Sequence, residues 1–292
     1  MKGIAALCVF AFSLAPALQA ADAAALCQLG RDAMTRGEPE KAAEHFEKAI
    51  VLQPDSADYH YQLGNAYGRQ AAVAGSMFGA VSMGKKAKGE WERAVQLDPN
   101  HMLARFAVLE FDVLAPAMFG GGTAAATQQA NEIRKRDAID GHRAFARIHS
   151  AAKELELARK EYIDMLKEQP SSARAHYHYA VYLMLTEKSY TQASDELEAA
   201  LKLDPAYMPA YHQLGHAAAL SGVQFARGEE GLRKYLGHLP KDDEPSHART
   251  YYWLGTIHEK RGNTAQAKAS YAASLKINSN QKDVKEAMKR VS

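Results

Sequence analysis

Apolar residues recur along this chain at helical spacing, three or four residues apart, in short amphipathic blocks separated by proline, glycine and polar clusters. Alternating strand-like patterning does not accompany them, so the elements they predict are helices throughout. Two of the blocks coincide over long stretches. LGRDAMTRGEPEKAAEHFEKAIVLQP (29–54) and LGTIHEKRGNTAQAKASYAASLKINS (254–279) have equal length and superpose without a gap. Leu29, Gly30, Ala42, Phe46, Ala49 and Pro54 stand where the second has Leu254, Gly255, Ala267, Tyr271, Ser274 and Ser279.

The intervening chain fits the same frame of two short helices, A and B. The B-helix pattern recurs as Ala87/Trp91/Ala94/Pro99, Ala126/Ala130/Ile133/Ala138, Ala158/Tyr162/Met165/Pro170, Ala193/Leu197/Ala200/Pro205 and Gly228/Leu232/Tyr235/Pro240. The A-helix partners are Leu63/Gly64, Leu109/Glu110, Phe145/Ala146, Tyr179/Ala180 and Leu214/Gly215. A small residue at the crossing allows close approach, an aromatic or large aliphatic fills the gap, and proline ends helix B because it lacks an N–H for the ladder. This pattern resembles the tetratricopeptide repeat. The resemblance implies an all-α, right-handed solenoid of about seven hairpins over residues 21–281, with the end of a polar-faced capping helix at 282–292. Each hairpin would bury its apolar face on its neighbours, and the A helices would line a concave groove.

Two repeats depart in length. From Leu63 to Trp91 there are 11 more residues than from Leu29 to Phe46, close to three helical turns, so helices can lengthen with the same face inward. From Leu109 to Ala130 there are 4 more. Both additions fall between helices A and B and emerge on one edge. Each carries Met-Phe-Gly: Met77 and Phe78 in one, Met118 and Phe119 in the other, with Met83 nearby. These side chains either pack on one another to seal the edge or form an apolar docking patch.

The same insertions hold two phosphate-loop look-alikes. GAVSMGKK (79–86) fits G-x-x-x-x-G-K-[ST] except at its end, where Lys86 replaces the magnesium-binding hydroxyl, and no strand precedes it. PAMFGGGTAAAT (116–127) reads as a turn: Pro116 ends a helix, Gly120, Gly121 and Gly122 change direction, and Thr123 caps a helix starting at Ala124. Amides at that helix start would be the only anion-holding groups there.

The first twenty residues have one positive charge at Lys2, an apolar run from Ile4 to Leu14, Pro16, and small residues at the end. That is the layout of a cleavable signal peptide (1–20), cut after Ala20 or alternatively Ala23, and it implies a periplasmic address. Cysteine usage agrees with a fold that needs no disulfide, since Cys8 lies in the leader and leaves Cys27 alone. Lipidation at Cys27 is disfavoured because Leu26 stands where a small residue belongs. Without Lys2 the chain keeps 35 basic against 34 acidic residues, a balance that argues against a nucleic-acid partner. The long second repeat and the Pro-to-Gly-Gly loop of the third resemble a group of exported bacterial tetratricopeptide-repeat proteins.

The resemblance further implies that A-helix groove positions meet the ligand. Carried onto this chain these are Cys27 and Arg31, Tyr61, Asn65 and Arg69, Ala107 and Phe111, Arg143 and Arg147, Arg174 and Tyr177, His212 and His216, and Arg249 and Tyr252. Arginine and tyrosine suit an extended peptide or an acidic terminus. The carboxylate clamp of this repeat class is matched only in part, by Asn65 and the Arg143/Arg147 pair, because Tyr61 and Phe111 occupy clamp positions. The expected role is therefore a periplasmic scaffold or assembly adaptor for a protein or peptide, an envelope protein among the partners, with no cofactor and no catalytic residue named by any motif. The competing role is a small-ligand, metal or haem binder. It rests on HQLGH (212–216), which places His212 and His216 one turn apart, with His176 and His178 in the preceding repeat. HQLGH lacks the glutamate of a zinc protease.

Overall fold

The computed structural model describes residues 5–241 and 244–292, with side chains from residue 19 onward. Lys2 and Ile4 of the expected leader, and the side chains of its apolar run, lie outside that description. Among the described residues there is no strand, and no helix is long and apolar enough to cross a membrane. The helices are α1 (Ala5–Arg36), α2 (Pro39–Leu52), α3 (Ala57–Val73), α4 (Met77–Leu97), α5 (Met102–Leu114), α6 (Thr123–Arg134), α7 (Ala138–Ala151) and α8 (Leu155–Glu168). They continue as α9 (Ala173–Tyr182), α10 (Tyr190–Leu203), α11 (Met208–Ser221), α12 (Phe225–Leu236), α13 (His247–Lys260), α14 (Thr264–Ile277) and α15 (Lys282–Arg290). A 3-10 turn, Ala117–Phe119, lies between α5 and α6, and a π-helical turn, Leu183–Glu187, extends α9.

The helices divide into two compact units, Met1–Gln129 and Ala130–Ser292, with the division inside α6. The first unit holds the α1/α2 and α3/α4 hairpins and α5. The second holds the hairpins α7/α8, α9/α10, α11/α12 and α13/α14, followed by α15. Helix A packs on the following helix B in six hairpins, α1/α2, α3/α4, α7/α8, α9/α10, α11/α12 and α13/α14, as the repeat frame predicts, and the crossing residues show why. A Cβ built on Gly30 would lie 2.5 Å from the Phe46 ring, on Gly64 2.5 Å from Trp91, on Gly215 2.1 Å from Leu232, and on Gly255 2.4 Å from Tyr271. Each of these four A helices therefore rests its glycine directly on the large side chain that its own B helix presents. Phe46, Leu232 and Tyr271 are wholly buried there. Leu29 differs from its counterpart Leu254, being 48% exposed against 3%.

A latch absent from the repeat frame fixes the corner between hairpins. The residue six positions after the proline that ends helix B turns back and donates to that proline's carbonyl. His60 Nε2 lies 3.0 Å from Pro54 O, Arg105 Nε 2.7 Å from Pro99 O, His176 Nε2 3.1 Å from Pro170 O, and Tyr211 Oη 3.1 Å from Pro205 O. Proline leaves a helix end whose carbonyls need partners, and three residue types with a long donor arm meet the same need. In two of them the other ring nitrogen reaches the following B helix, His60 to Glu90 at 2.6 Å and His176 to Glu196 at 2.6 Å.

The 11-residue insertion is accommodated as helix. In the second hairpin α3 has 17 residues and α4 has 21, against 14 in both α13 and α14. GAVSMGKK lies wholly inside α4, so its amides are held by the helix and it forms no phosphate loop. In the third repeat α5 stops at Leu114, two residues before Pro116, and Gly120 and Gly122 take φ of 95° and 125°. The glycine amides of this turn are directed inward, Gly120 N to Ala117 O, Gly121 N to Pro116 O and Gly122 N to Asp112 O, so the glycines themselves form no anion cradle. Thr123 is the first residue of α6 rather than its cap, because the Gly122 carbonyl already accepts from Ala126 N.

Candidate protein-binding face

In the second unit the A helices α7, α9, α11 and α13 carry two polar and aromatic clusters. The first begins with Asp137, which caps α7 by accepting from Asp140 N at 2.8 Å and also receives Arg174 of α9. Asp140 accepts from Arg143 at 2.6 Å and lies 3.8 Å from Arg174. Burial alone would raise the Asp137 pKa, but the Arg174 hydrogen bond and the amides of Asp140 and Ile139 outweigh it and hold the carboxyl below its usual range. Beside this network Tyr177 meets Tyr207 edge-on at 5.3 Å. Burial, and then the charges of Arg143 and Arg174, keep His178 well below the usual imidazole range.

The second cluster is a stack. His216 of α11 lies on Trp253 of α13 with ring centres 3.9 Å apart and planes 23° from parallel. The Arg249 guanidinium covers Tyr252 at 4.3 Å and Trp253 at 5.1 Å, and its Nη1 donates to Asp283 in the first turn of α15. Trp253, Tyr252, Arg249 and His216 are all half-buried, offering one side to solvent. Burial and the Arg249 charge push the His216 pKa down to about 4. His212, one turn earlier, is only 3% exposed and sits edge-on to Tyr235 at 5.2 Å. Neither ring nitrogen of His212 has a hydrogen-bond partner, and burial followed by the charges of His216 and Arg249 pushes its pKa down to about 3.

Elsewhere in this unit a small cleft of about 290 Å³ is lined by Arg134, His142, Glu161, Asp164, Lys167 and Glu168. Its charges satisfy one another: Glu161 takes Arg134 at 2.9 Å and His142 Nδ1 at 2.7 Å.

Family models for tetratricopeptide repeats match three stretches: one described as a TPR repeat over residues 30–70, and two as tetratricopeptide repeats over 143–208 and 248–281. The chain carries tetratricopeptide repeats. Solved structures with a similar backbone include yeast Tom70, with a TM-score of 0.54 and 11% identity over 88% of this chain and 58% of that one. A human IFIT1 dimer with PPP-AAAA gives 0.51 and 16%, over 87% and 59%. A tetratricopeptide repeat protein from Parabacteroides merdae ATCC 43184 gives 0.48 and 15%, over 92% and 98%. This chain therefore spans under three-fifths of the yeast and human chains, and at these identities the likeness is one of fold. No curated protein sequence matches it significantly.

Against this repeat frame, the expected groove residues part company. Arg31 pairs with Asp58 at 2.7 Å, and Arg143, Arg174 and Arg249 each meet an aspartate, so the A helices neutralise four of these arginines with carboxylates from helix starts. Tyr61 is not on a groove wall: it is 8% exposed, packed with Ala94 and Ala104 and tilted on His101. Asn65 accepts from Trp91 Nε1 at 3.1 Å and so braces the α3/α4 crossing instead of clamping a carboxylate. His212 is inside its hairpin, where the crossing at Gly215 leaves no space for solvent; the pair His212/His216 thus presents one accessible imidazole rather than two. Arg69 is exposed, and Arg147 is half-buried on α7. Among the described residues no three His, Cys, Asp or Glu side chains converge as metal ligands. Spacing alone passes over Trp253, which falls one residue past the groove position Tyr252 and joins the face because the His216 ring stacks on it.

Proposed function

We propose that this chain is an exported, non-catalytic adaptor that binds a protein or peptide segment through the A-helix face of its second unit, at the His216–Trp253–Arg249–Tyr252 stack. The observation that carries the reading is the guanidinium laid over two half-buried aromatic rings with its donors turned to a single exposed-side carboxylate, Asp283. Tryptophan, tyrosine and arginine supply large rigid contact area and bidentate recognition, the chemistry on which protein interfaces concentrate their binding energy. A guest carboxylate would take the place of Asp283 on Arg249, while apolar guest groups cover the Trp253 ring. The leader-like first twenty residues support export, and an envelope protein is the partner class that export would bring within reach.

A photocrosslinking amino acid at Tyr252 is expected to trap a discrete protein in living cells, one that is lost on Trp253→Ala and is not trapped from Lys268 on the exposed side of α14. Equal trapping from both positions would remove the A-face reading. Fractionation with N-terminal sequencing is expected to find the chain in the periplasm beginning at residue 21 or 24; an intact Met1 in the cytoplasm overturns the exported part. The metal or haem alternative draws only on the unbonded nitrogens of His212, and metal analysis with zinc and haem titration decides it.

A further inference from the structure

The edge of the first unit where hairpins two and three turn is unlike the rest of the surface. Seven large apolar side chains among the described residues are more than three-fifths exposed, and five of them belong to this edge: Val73, Met77, Phe78, Leu114 and Met118. Phe78 is 90% exposed and Met118 79%, so they stand out from the surface and do not seal the edge by packing on each other. The two connections are nonetheless built side by side. Lys88 Nζ bridges the Asp112 carboxylate and the Gly120 carbonyl, each at 2.6 Å, which ties the turn of the third repeat to α4. Lys85 Nζ lies 5.9 Å from the centre of the Phe119 ring. Phe78 precedes Lys85 by two helical turns on the same face of α4, which places it about 10 Å along the helix from that contact.

Charge distinguishes this patch from an ordinary sticky surface. Residues 59–89 contain no aspartate or glutamate, and residues 113–131 contain no charged side chain at all. Asp112, at their junction, is neutralised by Lys88. Around the apolar tips Lys85, Lys86 and Arg69 are exposed, Lys86 over the Tyr67 ring at 5.3 Å, and after Asp112 the acid nearest along the chain is Glu110, one turn before Leu114. A peptide partner would favour a groove in which to bury its own side chains, whereas protruding apolar tips flanked by ammonium groups match a bilayer, whose acyl boundary accepts the tips while anionic headgroups meet the lysines.

We propose that this edge docks the protein onto an anionic lipid surface, Phe78, Met77 and Met118 entering the interface and Lys85 and Lys86 contacting headgroup phosphates. The test is co-sedimentation of the chain, purified in the form its cells accumulate, with vesicles of phosphatidylcholine alone and of phosphatidylcholine containing about one-third phosphatidylglycerol. The anionic vesicles are expected to bind on the order of tenfold more tightly. The double variant Phe78→Ser/Met118→Ser is expected to weaken that binding by about tenfold, and Lys85→Glu/Lys86→Glu to abolish the preference for phosphatidylglycerol. Since all four side chains lie outside the core, unchanged helical circular dichroism and melting confirm that the variants are folded. Trp253→Ala is expected to leave vesicle binding intact, which separates this proposal from the peptide-binding reading. Equal binding to both vesicles, or wild-type binding by the patch variants, overturns it. So does a crosslinker at Phe78 that traps a protein while the vesicles hold nothing.

Discussion

The seventh hairpin and the second are built on the same crossing, yet they finish differently. In α13/α14 two helices of 14 residues meet at Gly255 and Tyr271 and turn through Gly262 at φ 75°. A left-handed residue at Gly37, Lys153, Lys188 and Gly222 likewise marks the A-to-B turn in other regular hairpins. In α3/α4 the crossing at Gly64 and Trp91 is retained, but the helices run on past it and join through Ala74 and Ser76, both in extended backbone, with no left-handed residue. Beyond the crossing there is no neighbouring layer to bury Val73, Met77 and Phe78. The repeat core thus ends where the pattern of crossing residues ends, and helix added beyond it is surface whatever its composition.

The sharpest way to break this comparison is to remove the crossing residue of the regular hairpin. Tyr271 is wholly buried and donates to Glu259 at 2.5 Å, so Tyr271→Ala is expected to cost about 3–5 kcal/mol, seen as a large fall in the denaturation midpoint. A loss below about 1 kcal/mol would mean the crossing is not the core it looks to be.

Next in size is the link between the long hairpin and the turn of the third repeat. Asp112 is 2% exposed on its side chain and Lys88 17%, so Asp112→Ala leaves a largely buried ammonium and is expected to cost about 3 kcal/mol. Limited proteolysis of Lys88→Met should show new cleavage within 116–122, because that change removes the ammonium that holds the Gly120 carbonyl to α4.

Acid titration probes the second unit. Folding holds His212 at a pKa of about 3 and His216 at about 4, below the ordinary value of 6.5, so below pH 6.5 the unfolded chain binds protons that the native chain refuses. Stability is therefore full above pH 6.5 and falls as the pH drops towards 4, by up to about 3 kcal/mol for the buried His212. His212→Phe keeps an aromatic ring against Tyr235 without a titrating nitrogen, and urea midpoints at pH 7 and pH 4.5 should show its acid slope reduced. An unchanged slope would place the acid sensitivity elsewhere.

The smallest effect is expected at the edge of the long hairpin. Phe78→Ser, at a side chain 90% exposed, should change stability by no more than about 0.5 kcal/mol, in contrast to Tyr271. A loss comparable with that of Tyr271→Ala would show that the edge is a core after all.

Much of this fold was readable in the chain because it repeats. Alanine or glycine against one large residue, spaced to close two helices, recurs often enough that the hairpins and their order follow from local chemistry, and the 11 added residues are helical because three whole turns preserve the inward face. The binding face was less legible. A spacing rule puts His212 and His216 on one side of α11 with equal claims to solvent, but the first is buried against Tyr235 of α12 and the second lies half-buried on Trp253 of α13. The rule likewise offers Arg31, Arg174 and Arg249 as groove donors without naming the aspartates that meet them from other elements, 27 residues away for Arg31 and 34 for Arg249.

By itself, then, the sequence determined the helices, their pairing and the two connections that carry Met-Phe-Gly, since each depends on neighbours close in the chain. Only the tertiary structure decided which arginines are already neutralised, which imidazole reaches solvent, that Asn65 serves Trp91, and that Phe78 and Met118 stand exposed. Those outcomes depend on what an adjacent helix places within a few ångströms, and periodicity along one helix says which face a residue shares but not what covers that face.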